Sequence, residues 1–274
     1  MFKRFILNTK YYFKDQKNRI PPYMYEYFCS EISKIEDLKS ITMSEYLKLK
    51  DLSDSKYFIL RHDIDHDPWT AEKMAIIENI YNIKSTYFIL HTATYFKTKK
   101  KEIVKICKNI QSLGHEIGLH NDLITDYFIN NQDPKNNLSN LLNFFKDEGV
   151  IINGSASHGS KFIQSLREFD DSNNLKSLAN FHVFSEIYNK KRLIKQNALR
   201  LKFENKKLNI PCLNMKDFGL KYESYFIPFD KYISDAGRKF WATGNDPIIE
   251  AKQINHNCTI QCLIHPVWWK YYLN

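Results

Sequence analysis

Phe58-Ile59-Leu60-Arg61-His62-Asp63-Ile64-Asp65-His66-Asp67-Pro68 is the stretch on which the reading of this 274-residue chain turns. An apolar run from Tyr57 to Leu60 enters a cluster of ionisable residues, and Pro68 closes it. That order describes a buried strand delivering its polar C-terminal end to a cleft. Asp63 and Asp65 stand at i and i+2, so on a strand both project to one face. Carboxylates held side by side repel unless a cation or a shared proton relieves them. The pair suggests a divalent metal site with a catalytic carboxylate beside it, and the competing reading is a solvated loop of mixed charge.

Working outward, strand-like and helix-like segments alternate. Thr70 is placed to cap a helix whose apolar positions Met74, Ile77, Ile80 and Tyr81 follow helical spacing. Ser85 to Leu90 is aromatic and β-branched, a strand. Ile103, Ile106, Cys107, Ile110 and Leu113 make a helical stripe stopped by Gly114. Glu116 to His120 reads as a short strand ending in a histidine. Asp133-Pro134 then opens a helix carrying Leu138, Leu141, Leu142 and Phe145, ended by Gly149. Val150 to Ile152 begins a strand that runs into Ser155-Ala156-Ser157-His158-Gly159.

This is the pattern of a parallel α/β fold, either a barrel or a doubly wound sheet, and in both the C-terminal strand ends carry the site. Between about 165 and 250 the pattern loosens. Asp170 to Asn180 reads as loop, while Phe181 to Ile187, Leu208 to Leu213 and Tyr222 to Ile227 read as extended. Asp235 falls in a turn with Trp241 nearby, and Cys258 to Ile264 is a last strand followed by His265-Pro266. Upstream, residues 1–55 carry Ile20-Pro21-Pro22 as a turn and a short helix from Ser44. They read as an extension packed on the outside of a single domain over 56–274.

Composition agrees with a sizeable core: 43% of residues are hydrophobic and 15% aromatic, which excludes wholesale disorder. The net charge of +9 comes from scattered lysines and arginines rather than one patch, so a nucleic-acid partner is not expected. Five widely spaced cysteines do not form a disulfide framework. The apolar run of the first residues stops at Asn8, too short for a signal peptide or a spanning helix. No stable membrane insertion and a cytoplasmic setting are therefore expected.

Asp63/Asp65, His120, His158 and His265 share one position type, the end of a predicted strand. An aspartate with two histidines is a common ligand set for Zn²⁺ or a similar ion, with a position left for water. A nearby carboxylate and a histidine complete the parts for hydrolysis of an amide or ester.

Arg61-His62-Asp63-Ile64-Asp65, Ser85-Thr86-Tyr87-Phe88, Gly114-His115-Glu116-Ile117-Gly118-Leu119-His120 and Leu263-Ile264-His265-Pro266 together resemble the ordered motifs of the polysaccharide deacetylases. The resemblance spans about residues 57 to 270. It implies a distorted (β/α) barrel and metal-dependent removal of acyl groups from carbohydrate. It also implies Asp63 as general base, Asp65 as metal ligand and His265 as general acid. The second motif of that family continues to a further histidine, where this chain has Asn121 and then Ile124. Isoleucine cannot bind a metal, so His158 is the expected third ligand, with His66 as an alternative and His115 ordering a turn.

The family's Arg-Pro-aromatic motif is not recognisable here. Arg61 is expected to pair with Asp63 or contact substrate, Asp235 to orient a catalytic partner, and Trp241 or Trp268 to stack on a sugar or lie in the core. The expected activity is hydrolysis of an N-acetyl or N-formyl group on a small-molecule or carrier-linked amino sugar in surface-glycan assembly. An O-acetyl esterase and a non-catalytic carbohydrate-binding barrel are the alternatives.

Overall fold

A computed structural model of the protein describes residues 21–49, 55–169, 175–189, 192–203, 206–236, 240–241 and 245–273. The chain begins with α1 (Tyr25–Ser33), β1 (Leu38–Ser40) and α2 (Met43–Tyr46). It continues through β2 (Lys56–Ile64), α3 (Pro68–Ile80), β3 (Ser85–Leu90), α4 (Thr94–Thr98), α5 (Lys100–Ser112) and β4 (Glu116–Asn121). Next come α6 (Leu123–Asn130), α7 (Pro134–Asp147), β5 (Ile152–Ser157) and α8 (Lys161–Ser165). An insert follows, with β6 (Arg167–Phe169), β7 (Leu175–Ser177), β8 (Glu186–Asn189), β9 (Arg192–Lys195), β10 (Ala198–Phe203) and β11 (Lys206–Pro211). The chain closes with β12 (Tyr222–Glu223), β13 (Lys231–Ser234), α9 (Pro247–Gln253), β14 (Thr259–Ile264) and α10 (Pro266–Trp269).

Seven parallel strands in the order β12-β5-β4-β3-β2-β14-β13 curl into a half-barrel, with β1 paired beside the start of β2. Among the described residues no pairing joins β12 to β13. β2 is central and buried on both faces, which is why it reads as an apolar run rather than an alternation. One face sends Tyr57 and Ile59 into the barrel interior with Met43, Tyr46, Phe88, Ala156, Tyr222 and Ile227. The other sends Phe58 and Leu60 against Tyr25, Phe28, Met74 and Trp269. Period-2 geometry then carries Arg61, Asp63 and Asp65 up the interior face, with the acids at its C-terminal rim.

The interior is tight where β3, β4 and β5 meet. A Cβ on Gly118 would run into the Phe88 ring and lie 3.1 Å from the Gly154 carbonyl oxygen. Gly118→Ala is expected to cost about 1–3 kcal/mol by overpacking, read as a lowered urea midpoint at unchanged slope.

Several helix ends follow the local rules. Asp133 caps α7 by accepting from the Asn136 N–H at 2.9 Å, and Gly114 and Gly149 turn the chain with φ of +88° and +72°. The cap of α3 is a correction: it is Asp67, whose carboxylate accepts from Thr70 N at 3.0 Å and Thr70 Oγ1 at 2.9 Å. Pro68 does not merely close the acidic run. It occupies the first turn of the helix, where its missing N–H is not needed.

Within the span read as an outer extension, residues 21–49 enter the core. Tyr25, Phe28, Cys29 and Ile32 are buried, and α2 lies under the barrel with Ser44 donating to the Glu116 carboxylate. The rest of that span, 1–20 and 50–54, lies outside the described residues.

The insert forms a four-stranded antiparallel sheet, β11-β10-β6-β7, and a β8-β9 hairpin. The strand expected over 181–187 is instead a 3₁₀ turn at Asn180–Val183, with strand geometry starting at Glu186. Asn180 is drawn into bonds with the strand-end loops of the barrel, which bends the chain there. Among the described residues no helix is long and apolar enough to cross a membrane.

Candidate metal centre

Asp65 follows directly on β2, His120 lies in β4, and His158 follows directly on β5. Because β4 and β5 are neighbours, His120 pairs with Ala156, and the His158 N–H donates to the Asn121 carbonyl at 2.8 Å. One ligand atom from each of Asp65, His120 and His158 lies within 4.8 Å of the other two. Among the described residues this is the one such group of three, and neither His66 nor His115 belongs to it. His115 sits below the site, with Nδ1 3.2 Å from the Ser85 N–H and Nε2 3.0 Å from the Ala75 carbonyl. Ile124, at the position where the resemblance would place a histidine, is fully buried in the core.

The donor atoms suit a cation. His120 Nδ1 lies 2.8 Å from the Ala156 carbonyl, which can only accept, so the proton sits on Nδ1. That turns Nε2 toward Asp65 Oδ1 at 3.3 Å and Asp63 Oδ2 at 3.5 Å. Asp65 Oδ1 is buried with no hydrogen-bond partner, a costly state for a carboxylate oxygen unless a cation meets it. Burial works against ionisation of Asp65, yet His120, His158 and His265 around it hold its carboxyl far below the usual range. Asp65, His120 and His158 could thus hold a metal ion.

Two buried pairs flank this group. Arg61 Nε and Nη2 donate to Asp63 Oδ1 and Oδ2 at 2.7 and 2.6 Å, a bidentate clamp between i and i+2 of one strand. Burial opposes the charge on Asp63, and the guanidinium outweighs it, keeping the carboxyl ionised. On the other side His265 Nδ1 meets Asp235 Oδ1 at 2.6 Å, and the His265 N–H donates to Asp235 Oδ2 at 2.9 Å. Burial disfavours the imidazolium, but Asp235 prevails and raises the His265 pKa to about 9. The remaining nitrogen, Nε2, stands 3.8 Å from Asp65 Oδ2.

Comparison of the chain with protein-family models, curated proteins and solved structures gives no significant match.

Two residues assigned to substrate contact lie elsewhere. Arg61 is 1% exposed, held beneath Asp63 between the rings of Phe88 and Tyr225 at 5.4 and 5.3 Å. Two of its donors go to Asp63. Trp241 is 8% exposed and packs on Phe240 and Trp269, so its ring serves the core. Asp235, fully buried, reaches the site only through His265.

Sequence reasoning passed over Asp122, Asn180 and Glu223. Asp122 sits two residues after His120, a spacing that could have flagged it. Asn180 and Glu223 carry no local signal. Glu223 is buried, accepts from Ser155 Oγ and from the Ser157 N–H at 2.9 Å, and has its pKa raised by burial.

Proposed function

We propose that the protein is a divergent polysaccharide-deacetylase-like hydrolase that removes an N-acetyl or N-formyl group from an amino sugar. One observation carries the reading: an Asp-His-His ligand group stands between an ion-paired aspartate and an aspartate-held histidine. Two imidazoles and a carboxylate favour Zn²⁺ among the common divalent ions, bound by Asp65, His120 and His158. When bound, such an ion supplies Lewis acidity toward an acyl carbonyl and toward water.

The chain's own groups supply the proton chemistry. Asp63, ionised against Arg61, accepts a proton from the attacking water. His265, kept protonated by Asp235, gives one to the departing nitrogen. An amine leaves poorly unless protonated, whereas an alkoxide leaves an ester more readily. A histidine held protonated therefore favours an amide over an O-acetyl substrate. A soluble or carrier-linked amino sugar of surface-glycan assembly is the substrate class we favour.

The test is elemental analysis of wild type, Asp65→Ala and His158→Ala, alongside acyl release from a panel of N-acyl amino sugars. About one zinc per wild-type chain is expected, lost in both variants together with acyl release. Metal retained by both variants refutes the ligand set. Zinc-loaded wild type that releases no acyl group from any member of the panel refutes the activity.

A further inference from the structure

Of the two histidine ligands, the one outside a strand is His158. His120 lies within a strand, with its ring fixed by the Ala156 carbonyl, but His158 lies one residue beyond β5. Something outside its own strand must therefore orient its ring.

Asp122 stands at the N-cap position of α6, where an aspartate ordinarily turns its carboxylate to the free N–H groups of the first helical turn. Here it makes no such bond. Its Oδ1 lies 3.1 Å from His158 Nδ1, and its Oδ2 accepts from Thr92 Oγ1 at 2.7 Å. The capping work passes to Asn180 of the insert, whose Oδ1 accepts from the Ile124 and Thr125 N–H groups at 3.0 and 3.3 Å. The Asn180 amide donates in turn to Asp122 Oδ1 at 3.0 Å, the His158 carbonyl at 2.9 Å and Thr125 Oγ1 at 3.4 Å. Asn180 and Asp122 are buried at 0% and 3% exposure, so these are built contacts rather than surface encounters.

From this exchange we infer that Asp122 is a positioning residue for the metal ligand His158, freed for the task because Asn180 caps α6 in its place. The inference rests on the metal centre proposed above. A carboxylate 3.1 Å from Nδ1, close enough to pair though not aligned as a hydrogen bond, favours the proton on that nitrogen and leaves Nε2 as the donor His158 would offer a metal. A carboxylate there also makes the imidazole a better donor, as outer partners of histidine ligands commonly do. Thr92 fixes the second carboxylate oxygen, so the aspartate cannot swing away.

The test measures zinc affinity of the whole protein by competition with a chromophoric chelator, with thermal unfolding of the metal-free protein as a control. Asp122→Asn is near-isosteric, keeps an acceptor for Asn180 and removes the charge. It is expected to weaken zinc binding about 10- to 100-fold at an unchanged metal-free midpoint.

The effect must run through His158, so in a His158→Ala background the same change is expected to alter affinity little. Wild-type affinity in Asp122→Asn, or an equal loss in both backgrounds, overturns the inference while leaving the metal centre standing. No zinc binding by wild type removes the centre and the inference together. Should Asp122→Asn not fold, Thr92→Val carries the test. A severalfold loss of affinity is expected there, and unchanged affinity overturns the proposal.

Discussion

Asp63→Asn is expected to lower acyl release about 100- to 10,000-fold, the usual contribution of a positioned general base, while zinc content stays at the wild-type level. The separation of the two readouts follows from the geometry. Asp63 is not in the group of three that meet within 4.8 Å, and both its oxygens are engaged by Arg61. An amide in its place keeps the shape and one acceptor for the guanidinium, but it cannot take a proton at neutral pH. The pair is nearly fully buried, so some stability is expected to be lost as well, and activity should be compared at a temperature where both proteins are folded. Activity within about tenfold of wild type would show that another group takes the proton. Loss of zinc along with activity would instead place Asp63 among the ligands.

The largest expected effect on stability lies outside the centre, at Glu78 on α3. Its side chain is fully buried behind β2 and β3. Tyr25 Oη and Ser85 Oγ donate to it, Tyr87 Oη donates at 2.7 Å, and His62 Nε2 meets it at 2.7 Å. One carboxylate thus satisfies polar groups from α1, β2 and β3 at once. Glu78→Ala would strand them all in a fully buried site and is expected to cost about 3–5 kcal/mol in urea unfolding near neutral pH. A loss below about 1 kcal/mol would show that the partners re-pair among themselves.

The same residue sets a pH dependence. Burial opposes the charge on Glu78, but His62, His115 and Ser85 outweigh it and lower the pKa from 4.5 to about 2. A folded-state pKa below the unfolded one means stabilisation that is complete above the unfolded value and is lost as pH falls through the folded one. The stability gap between wild type and Glu78→Gln is therefore expected to hold above about pH 4.5 and to narrow from there toward pH 2. A gap that stays constant across that window would show that Glu78 carries no charge in the folded protein.

Much of the curled parallel sheet and its helices was legible because the signals are local. The stripe over Ile103 to Ile110, the Asp133-Pro134 start and the Gly114 and Gly149 stops are each read within a few residues. The insert was read poorly for the opposite reason. Its short antiparallel strands have little burial pattern of their own, and Asn180 takes its conformation from α6 and the β5 loop rather than from its neighbours in sequence. Trp241 shows how composition misleads: a tryptophan near a site can as readily be core. Thr70 shows a cap displaced toward the N-terminus by a proline that begins a helix rather than ending a strand.

The sequence alone determined that strands alternate with helices, that Asp63 and Asp65 share a face, and that histidines stand at strand ends, because each is a matter of periodicity over a few residues. Only the tertiary structure decided which strand ends meet. The order β5-β4-β3-β2-β14 brings His158 to His120 and both to Asp65, and the curl of the sheet sets His265 across from them. It also decided what other charged groups face: Asp122 lies beside His158, and Glu78 is closed in behind the sheet. Those outcomes depend on contacts between separate elements of the fold. A buried charge takes whatever partner the packing brings within hydrogen-bond reach, and no local pattern names that partner in advance.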